Sequence, residues 1–267
     1  MISSAQNPSV KRLLALQEKS SLRRETGLFV VEGVREAERC IASGFVPETV
    51  YLCSEIARDS AALRSSLAAL PPGGLVEISP RVYEKVAYRG GTEGVIAVFR
   101  SRDLSLDSLV LPQNPLVLVL EGVEKPGNVG ALLRSADAAG ADAVLVCNPL
   151  TDIYNPNTVR ASLGALFSLP VCCCRSNEAI AFLKERGIRI LTAQLQDSNP
   201  YYGVDMTTGT ALVVGSEAQG LGDAWRLAAD AHILIPMSGI VDSLNVSASA
   251  AILLFEAVRQ RQEHMKN

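Results

Sequence analysis

The chain has 267 residues, of which 48% are hydrophobic, so it can fill one large domain or two smaller ones and has no long disordered tail. Its formal net charge of −3 argues against a nucleic-acid binder that relies on overall basicity, although it allows a local basic face. No apolar run reaches the ~18 residues of a membrane helix, and the N-terminus lacks an apolar signal core, so we expect a cytoplasmic protein.

Residues 1 to about 25 have the pattern of an exposed amphipathic helix, with Pro8 in its first turn after Asn7. Its basic side chains outnumber the acidic ones, which suits either a solvated helix face or a patch that contacts phosphates. The basic side chains are Lys11, Arg12, Lys19, Arg23 and Arg24.

Short strands and helices alternate up to residue 99, which predicts a small α/β unit. The predicted strands are Gly27–Glu32, Thr49–Cys53, Leu75–Ile78 and Gly94–Phe99, and the predicted helices are Val34–Ser43, Ser60–Leu70 and Pro80–Ala87. The glycine-rich loop Tyr88–Gly94, which contains Arg89, can press its backbone against a ligand or simply connect two elements. The polar stretch Arg100–Pro115 is typical of a linker.

We therefore place a first domain at residues 1–105, a linker at 106–115 and a second domain at 116–267. Continuous apolar runs recur in the second domain, as in strands buried on both faces of a parallel sheet, and helical segments lie between them. The predicted strands are Leu116–Leu120, Ala143–Cys147, Leu169–Cys174, Ile188–Ala193, Ala211–Gly215 and Ile233–Ile235. The predicted helices are Val129–Ala139, Thr158–Phe167, Glu178–Arg186, Ala224–Ala229 and Asn245–Arg261.

Ligands of open parallel sheets gather beyond the carboxyl ends of the strands, so the loops there are the candidate sites. In the first loop, Asn128 is a good helix cap, and Gly130 leaves room beside Arg134 one turn later. A guanidinium in that position could hold a phosphate, or it could simply pair with Asp137 on the helix surface.

Several chemistries fit the remaining loops poorly. Residues Gly215–Gly222 form neither the dinucleotide fingerprint nor a P-loop, so a Rossmann-type oxidoreductase is disfavoured. The two histidines, His232 and His264, do not lie beside a nucleophile motif. None of the six cysteines is in a zinc or CxxC spacing, so we predict reduced core residues and no metal.

Three segments together resemble one family, the SpoU (TrmH) branch of the SPOUT RNA methyltransferases. They read NVGALLRSADAAG at Asn128–Gly140, GSEAQGLG at Gly215–Gly222 and IPMSGIVDSLNVSASAA at Ile235–Ala251. Each is weak alone, but their order and separations make the set specific. The resemblance covers residues 115–267. More weakly, Phe29–Cys40 and Gly90–Phe99 resemble a small ribosomal-protein-like RNA-binding domain.

The resemblance implies an α/β fold whose C-terminal parallel-sheet domain contains a deep trefoil knot, preceded by a smaller α/β RNA-binding domain. It also implies a homodimer that uses S-adenosyl-L-methionine to methylate a ribose 2′-hydroxyl, with 23S ribosomal RNA as the preferred substrate. A tRNA 2′-O-methyltransferase and a non-catalytic knotted RNA-binding module are the alternatives. No metal and no membrane are implied.

The family's motif residues fall on Arg134, Asn128, Glu217, Ser243 and Asn245. A guanidinium is not readily deprotonated, so we interpret Arg134 as a clamp on the RNA phosphate and 2′-hydroxyl rather than as a base. A carboxylate beside the sulfonium would favour the ground state, so we assign Glu217 to loop architecture. Ser243 and Asn245 would bridge the cofactor loop and the active site.

The loops expected around the cofactor contribute a further set of residues. They are Thr192, Ala193, Gln194, Gly215, Glu217, Ile235, Met237, Gly239, Leu244, Asn245 and Ser247. The basic residues predicted to contact RNA are Lys11, Arg12, Arg23, Arg24, Arg35, Arg89 and Arg134.

Overall fold

The structure is a computed structural model that describes residues 1–88, 93–216 and 219–266. The chain divides into two compact units, of which the first consists of Met1–Arg102 with Asp152–Ser168. The second consists of Asp103–Thr151 with Leu169–Asn267. The segment Asp152–Ser168, which the sequence analysis placed in the second domain, thus belongs to the first unit.

The helices and strands follow the predicted alternation with shifts of a few residues at their ends, except that the predicted helix Thr158–Phe167 is two helices, which the positive φ angles of Leu163 and Gly164 separate. The strands are β1 (Leu28–Glu32), β2 (Pro47–Leu52), β3 (Leu75–Glu77), β4 (Val95–Arg100), β5 (Leu116–Glu121), β6 (Ala143–Cys147), β7 (Val171–Cys174), β8 (Arg189–Ala193), β9 (Asn199–Pro200), β10 (Thr210–Val214) and β11 (Ala231–Leu234). The α-helices are α1 (Pro8–Glu18), α2 (Ser20–Thr26), α3 (Val34–Ala42), α4 (Ala61–Ala68), α5 (Pro80–Val86), α6 (Pro126–Ala138), α7 (Pro156–Ala161), α8 (Ala165–Ser168), α9 (Ser176–Glu185), α10 (Asp223–Ala228) and α11 (Val246–His264).

The first unit is built on a four-stranded sheet in the order β1-β4-β2-β3. Strands β1 and β2 pair antiparallel with β4, and β3 pairs parallel with β2. Val10, Leu13 and Leu16 recur at helical spacing and bury one face of α1 in the core. The predicted N-terminal helix is two helices, because Lys19 takes an extended conformation between α1 and α2.

The second unit is built on a seven-stranded sheet in the order β7-β6-β5-β10-β8-β11-β9, and its neighbouring strands pair in parallel. Every residue of β6 and β10 is buried, which confirms the interpretation of the continuous apolar runs. Helices α9 and α10 contribute to one buried cluster with side chains of the central strands, while α11 packs on α6 and β10. This is the predicted α/β arrangement. Across the described ranges, no helix is both long and apolar enough to cross a membrane.

Candidate functional site

A cavity of about 490 Å³ lies in the second unit, where β8, β10 and β11 reach their carboxyl ends. Its walls come from the loops that follow these three strands and from the first turns of α11. Both its position and its volume are typical of a small-molecule site in an open parallel sheet.

The loop after β10 needs its glycines to form the cavity wall. A Cβ atom at Gly215 would overlap the backbone carbonyl of Gly220, and Gly220 itself has a φ of +63°. The backbone N–H of Gly220 donates to the carbonyl of Ser216 at 3.0 Å, and the N–H of Gln219 donates to the Ser216 hydroxyl at 3.0 Å. The loop is therefore a tight backbone turn, which lets a ligand approach the main chain. Glu217 lies outside the described residues.

The loop after β11 ends at the cap of α11. The Asn245 side chain accepts hydrogen bonds from the backbone N–H of Ser247 at 3.0 Å and from the Ser247 hydroxyl at 2.6 Å. Its amide nitrogen also donates to the Oδ1 atom of Asn128 at 3.3 Å. This bridge ties the start of α11 to the first turn of α6, so it joins two of the three motif segments.

Asn128 does not cap α6, contrary to the prediction. The N-cap is Lys125, and Pro126 occupies the first turn, where its fixed φ and missing N–H are tolerated. The helix therefore starts three residues earlier than its predicted start, Val129. The side chain of Asn128 instead takes part in the bridge to Asn245.

The cavity brings together many of the predicted cofactor residues. Those that line it are Ala193, Gln194, Gly215, Ile235, Met237 and Leu244, together with Ser243 from the predicted catalytic set.

Four other predicted cofactor residues that the structure describes do not line the cavity. Thr192 is fully buried, and its hydroxyl forms a 2.6 Å hydrogen bond with Nδ1 of His232. Gly239 lies on the exposed part of the loop, and Asn245 and Ser247 form the helix cap. The roles of all these residues stay predictions.

Gln194 contributes an unsatisfied acceptor to the cavity. Its amide nitrogen donates to the carbonyl of Gln196 at 2.9 Å, whereas its buried Oε1 atom has no hydrogen-bond partner among the described residues. Leaving a buried acceptor unpaired costs about 1–3 kcal/mol. A ligand that offers an amine or a hydroxyl to this oxygen would recover that cost.

Arg134 is exposed on α6 and does not line the cavity. Gly130 is buried one turn before it, as the spacing predicted for the same helical face. The Asn128–Asn245 bridge connects the helix that carries Arg134 to the segment that lines the cavity. The arrangement can therefore hold a small ligand at one place and present a cation to a second substrate nearby in the same unit.

The predicted RNA-contacting residues of the first unit fall into two groups. Lys11, Arg12, Arg24 and Arg35 are exposed, and Arg12 also pairs with Glu48 at 3.2 Å. Arg89 lies outside the described residues.

For Arg23, the structure differs from the predicted contact with RNA. Its side chain is buried at 4% exposure and forms an ion pair with Asp152, with 2.6 Å between Nε and Oδ2. Its Nη1 atom donates to the backbone carbonyls of Leu16 and Gln17. Because the guanidinium is already paired and shielded from solvent, Arg23 supports the fold rather than contacting RNA.

Sequence reasoning missed two charged residues that line the cavity. Arg226 comes from α10 and Asp242 from the loop after β11. Asp242 lies within the third motif segment but was given no role there, whereas Arg226 lies outside all three segments. Only the position of α10 beyond a strand end could have pointed to Arg226.

The cysteines are all free, but they are not all core residues. Cys173 is exposed, because its side chain points to the opposite face of β7 from the buried Cys172, and Cys174 is partly exposed as the last residue of the strand. Among the described residues, no group of three His, Cys, Asp or Glu side chains could hold a metal ion.

The chain is similar to known proteins over most of its length. Residues 115–255 match the SpoU rRNA Methylase family, and residues 7–97 match the MRM3-like substrate binding domain. The 23S rRNA (uridine(2479)-2'-O)-methyltransferase of Streptomyces viridochromogenes is 30% identical to this chain, over 96% of this chain and 91% of that protein. The 23S rRNA (guanosine(2553)-2'-O)-methyltransferase RlmP of Bacillus subtilis (strain 168) is 30% identical, over 95% and 97% respectively.

A solved structure is similar over nearly the whole chain. The AdoMet-bound rRNA methyltransferase from Sinorhizobium meliloti is 29% identical, with a TM-score of 0.87 over 97% of each chain. These matches confirm the resemblance that the three sequence segments carry. Because the family match alone extends over more than half of the sequence, the chain belongs to the SpoU rRNA Methylase family.

Proposed function

We propose that this protein transfers a methyl group from S-adenosyl-L-methionine to a ribose 2′-hydroxyl of 23S ribosomal RNA. The observation that carries the proposal is the cavity at the carboxyl ends of β8, β10 and β11, lined by two of the family's three motif segments. The relatives from Streptomyces viridochromogenes and Bacillus subtilis are named for 2′-O-methylation of 23S rRNA, and the Sinorhizobium meliloti structure contains AdoMet.

The residues present fit this cofactor. The orphaned Oε1 atom of Gln194 can accept a hydrogen bond from an adenine amine or a ribose hydroxyl. The absence of a side chain at Gly215 and Gly220 leaves main chain at the cavity wall, and Leu244 and Leu253 add apolar surface. When bound, S-adenosylmethionine supplies an electrophilic methyl group on a positively charged sulfur.

The protein's own residues would then orient the RNA hydroxyl. We assign Arg134 to the RNA phosphate, because a guanidinium holds phosphate oxygens bidentately and stays protonated. The RNA-facing helix α6 and the cofactor loop would be held in a fixed relative position by Asn128, Ser243 and Asn245. We assign Glu217 to the architecture of its loop, away from the sulfur.

The first unit would bind the RNA substrate. Its match to the MRM3-like substrate binding domain supports this role, and Lys11, Arg12, Arg24 and Arg35 offer exposed cations for phosphate contacts. The trefoil knot, the homodimer and the cytoplasmic location that the resemblance implies belong to the same proposal.

The variant Arg134→Ala tests the assignment of the catalytic site. Because Arg134 does not line the cavity, we expect the variant to bind S-adenosylmethionine within about twofold of the wild type and to lose methyl transfer by about 100-fold or more. Calorimetry measures cofactor binding, and transfer of a tritiated methyl group to 23S rRNA measures activity. Arg186 is exposed at the C-terminal end of α9 and provides the control variant. Arg186→Ala should retain both cofactor binding and methyl transfer.

The outcomes separate the candidate functions. Normal methyl transfer by Arg134→Ala would contradict the role given to Arg134. Wild-type protein that gives no heat of cofactor binding would instead be a non-catalytic RNA-binding module. Methyl transfer to tRNA but not to 23S rRNA would identify the protein as a tRNA 2′-O-methyltransferase.

A further inference from the structure

Arg226 is the single positively charged side chain among the described residues that line the cavity, and Asp242 is the single negatively charged one. The other described lining residues are neutral. Among the described residues, two side chains therefore set the charge inside the cavity, and each of them will favour an opposite charge on a ligand and disfavour a like charge.

The position of Arg226 is fixed by its neighbour on α10. Trp225 is buried at 1% exposure, and its Nε1 atom donates to Oε2 of Glu121 at 2.7 Å. Glu121 lies at the carboxyl end of β5, so this bond anchors α10 to the central part of the sheet. The backbone of the next residue, Arg226, is thereby held at the cavity wall, so less conformational freedom is lost when its side chain binds an anion.

Arg226 is partly buried as a residue, and no hydrogen bond or ion pair joins its guanidinium to another described residue. A ligand anion would supply a partner for this charge, and a planar carboxylate matches the guanidinium fork with two parallel hydrogen bonds.

We infer that Arg226 binds the α-carboxylate at the amino-acid end of S-adenosylmethionine and so fixes the orientation of the cofactor. This inference rests on the proposed function. The molecule has one carboxylate, an ammonium group and a sulfonium, so Arg226 attracts only its amino-acid terminus. Asp242 repels the carboxylate and attracts the ammonium and the sulfonium. The Oε1 atom of Gln194 would then accept a hydrogen bond from a donor in the adenosine part of the cofactor.

The experiment compares S-adenosylmethionine with its decarboxylated form, which keeps the adenosine, the sulfonium and the amine but lacks the carboxylate. Binding of both to the full chain is measured by calorimetry for the wild type, Arg226→Ala, Arg226→Lys and the control Arg186→Ala. We expect the wild type to prefer S-adenosylmethionine by about 10-fold or more. Arg226→Ala should bind the two compounds within about twofold of each other. Its affinity for the decarboxylated form should not fall below that of the wild type, because the removed cation repels this positively charged ligand.

Arg226→Lys should keep part of the preference, because an ammonium retains the charge without the bidentate geometry. The emission of Trp225, the single tryptophan of the chain, reports whether each variant keeps α10 in place. The inference is overturned if Arg226→Ala still prefers S-adenosylmethionine over the decarboxylated form as strongly as the wild type does. That result is expected if Arg226 binds an RNA phosphate instead of the cofactor. It is also overturned if Arg226→Ala lowers the affinity for both compounds by the same factor, because Arg226 then only shapes the cavity.

The wild type separates this inference from the function on which it rests. Wild-type protein that binds both compounds equally tightly contradicts the carboxylate contact and leaves the methyltransferase proposal intact. Wild-type protein that binds neither compound contradicts the cofactor assignment itself, and the role of Arg226 fails with it.

Discussion

At the scale of single residues, two adjacent arginines have opposite surroundings. Arg23 is buried with Asp152 and two backbone carbonyls, whereas Arg24 is exposed. Replacing Arg23 with alanine leaves the Asp152 carboxylate and the carbonyls of Leu16 and Gln17 without this donor. We expect Arg23→Ala to lower the free energy of unfolding by about 3–5 kcal/mol.

Urea denaturation followed by circular dichroism measures this loss, and Arg24→Ala is the matched control. A surface substitution of this kind should change the free energy of unfolding by no more than about 0.5 kcal/mol. A similarly small effect for Arg23→Ala would show that the Asp152 contact contributes little.

Helical periodicity in the sequence could not distinguish Arg23 from Arg24. The basic residues near the N-terminus suggested one surface because the whole segment looked like a single helix. The break at Lys19 makes α2 a separate helix, and the partner of Arg23 comes from Asp152, more than a hundred residues later. A contact of that separation leaves no local signal.

At the scale of elements, the cap of α11 has two separable functions. Asn245 accepts hydrogen bonds from Ser247, which stabilises the helix start, and it donates to Asn128, which bridges to α6. Serine is also a good N-cap, but its side chain is too short to bridge to Asn128. We therefore expect Asn245→Ser to keep the free energy of unfolding within about 0.5 kcal/mol and to reduce methyl transfer at least about 10-fold.

Asn245→Ala removes both functions, so it should also lower the free energy of unfolding by about 0.5–2 kcal/mol. Thermal unfolding and single-turnover methyl transfer, measured on the same preparations, separate the two effects. If Asn245→Ser is as active as the wild type, the bridge to Asn128 does not position the active site.

The strands of the second unit were the most predictable elements. Ala143–Cys147 was predicted with its observed bounds, because a parallel strand buried on both faces is a continuous apolar run between turn residues. Strand β9 was missed, because Asn199–Pro200 has neither the length nor the composition of a strand. The motif segments indicated which loops would form the cavity, but Arg226 belongs to no motif and only the folded chain places it there.

At the scale of the whole molecule, the net charge of −3 opposes RNA binding through general electrostatic attraction. Binding must then depend on where the cations lie. Lys11 and Arg24 are exposed in the first unit, which matches the substrate binding domain, while Lys184 and Arg186 are exposed at the end of α9 in the second. Two double variants can thus lose the same charge from different places.

We expect Lys11→Ala/Arg24→Ala to reduce the slope of log affinity against log salt concentration by roughly one unit per lost phosphate contact. The variant Lys184→Ala/Arg186→Ala should keep the wild-type slope, because overall charge acts weakly beyond the ~8–10 Å screening length at physiological salt. Affinity for a 23S rRNA fragment, measured by filter binding from 50 to 200 mM KCl, gives both slopes. Equal slopes for the two double variants would mean that RNA binding follows net charge, and that the exposed cations of α1 and α2 have no special role in holding the substrate.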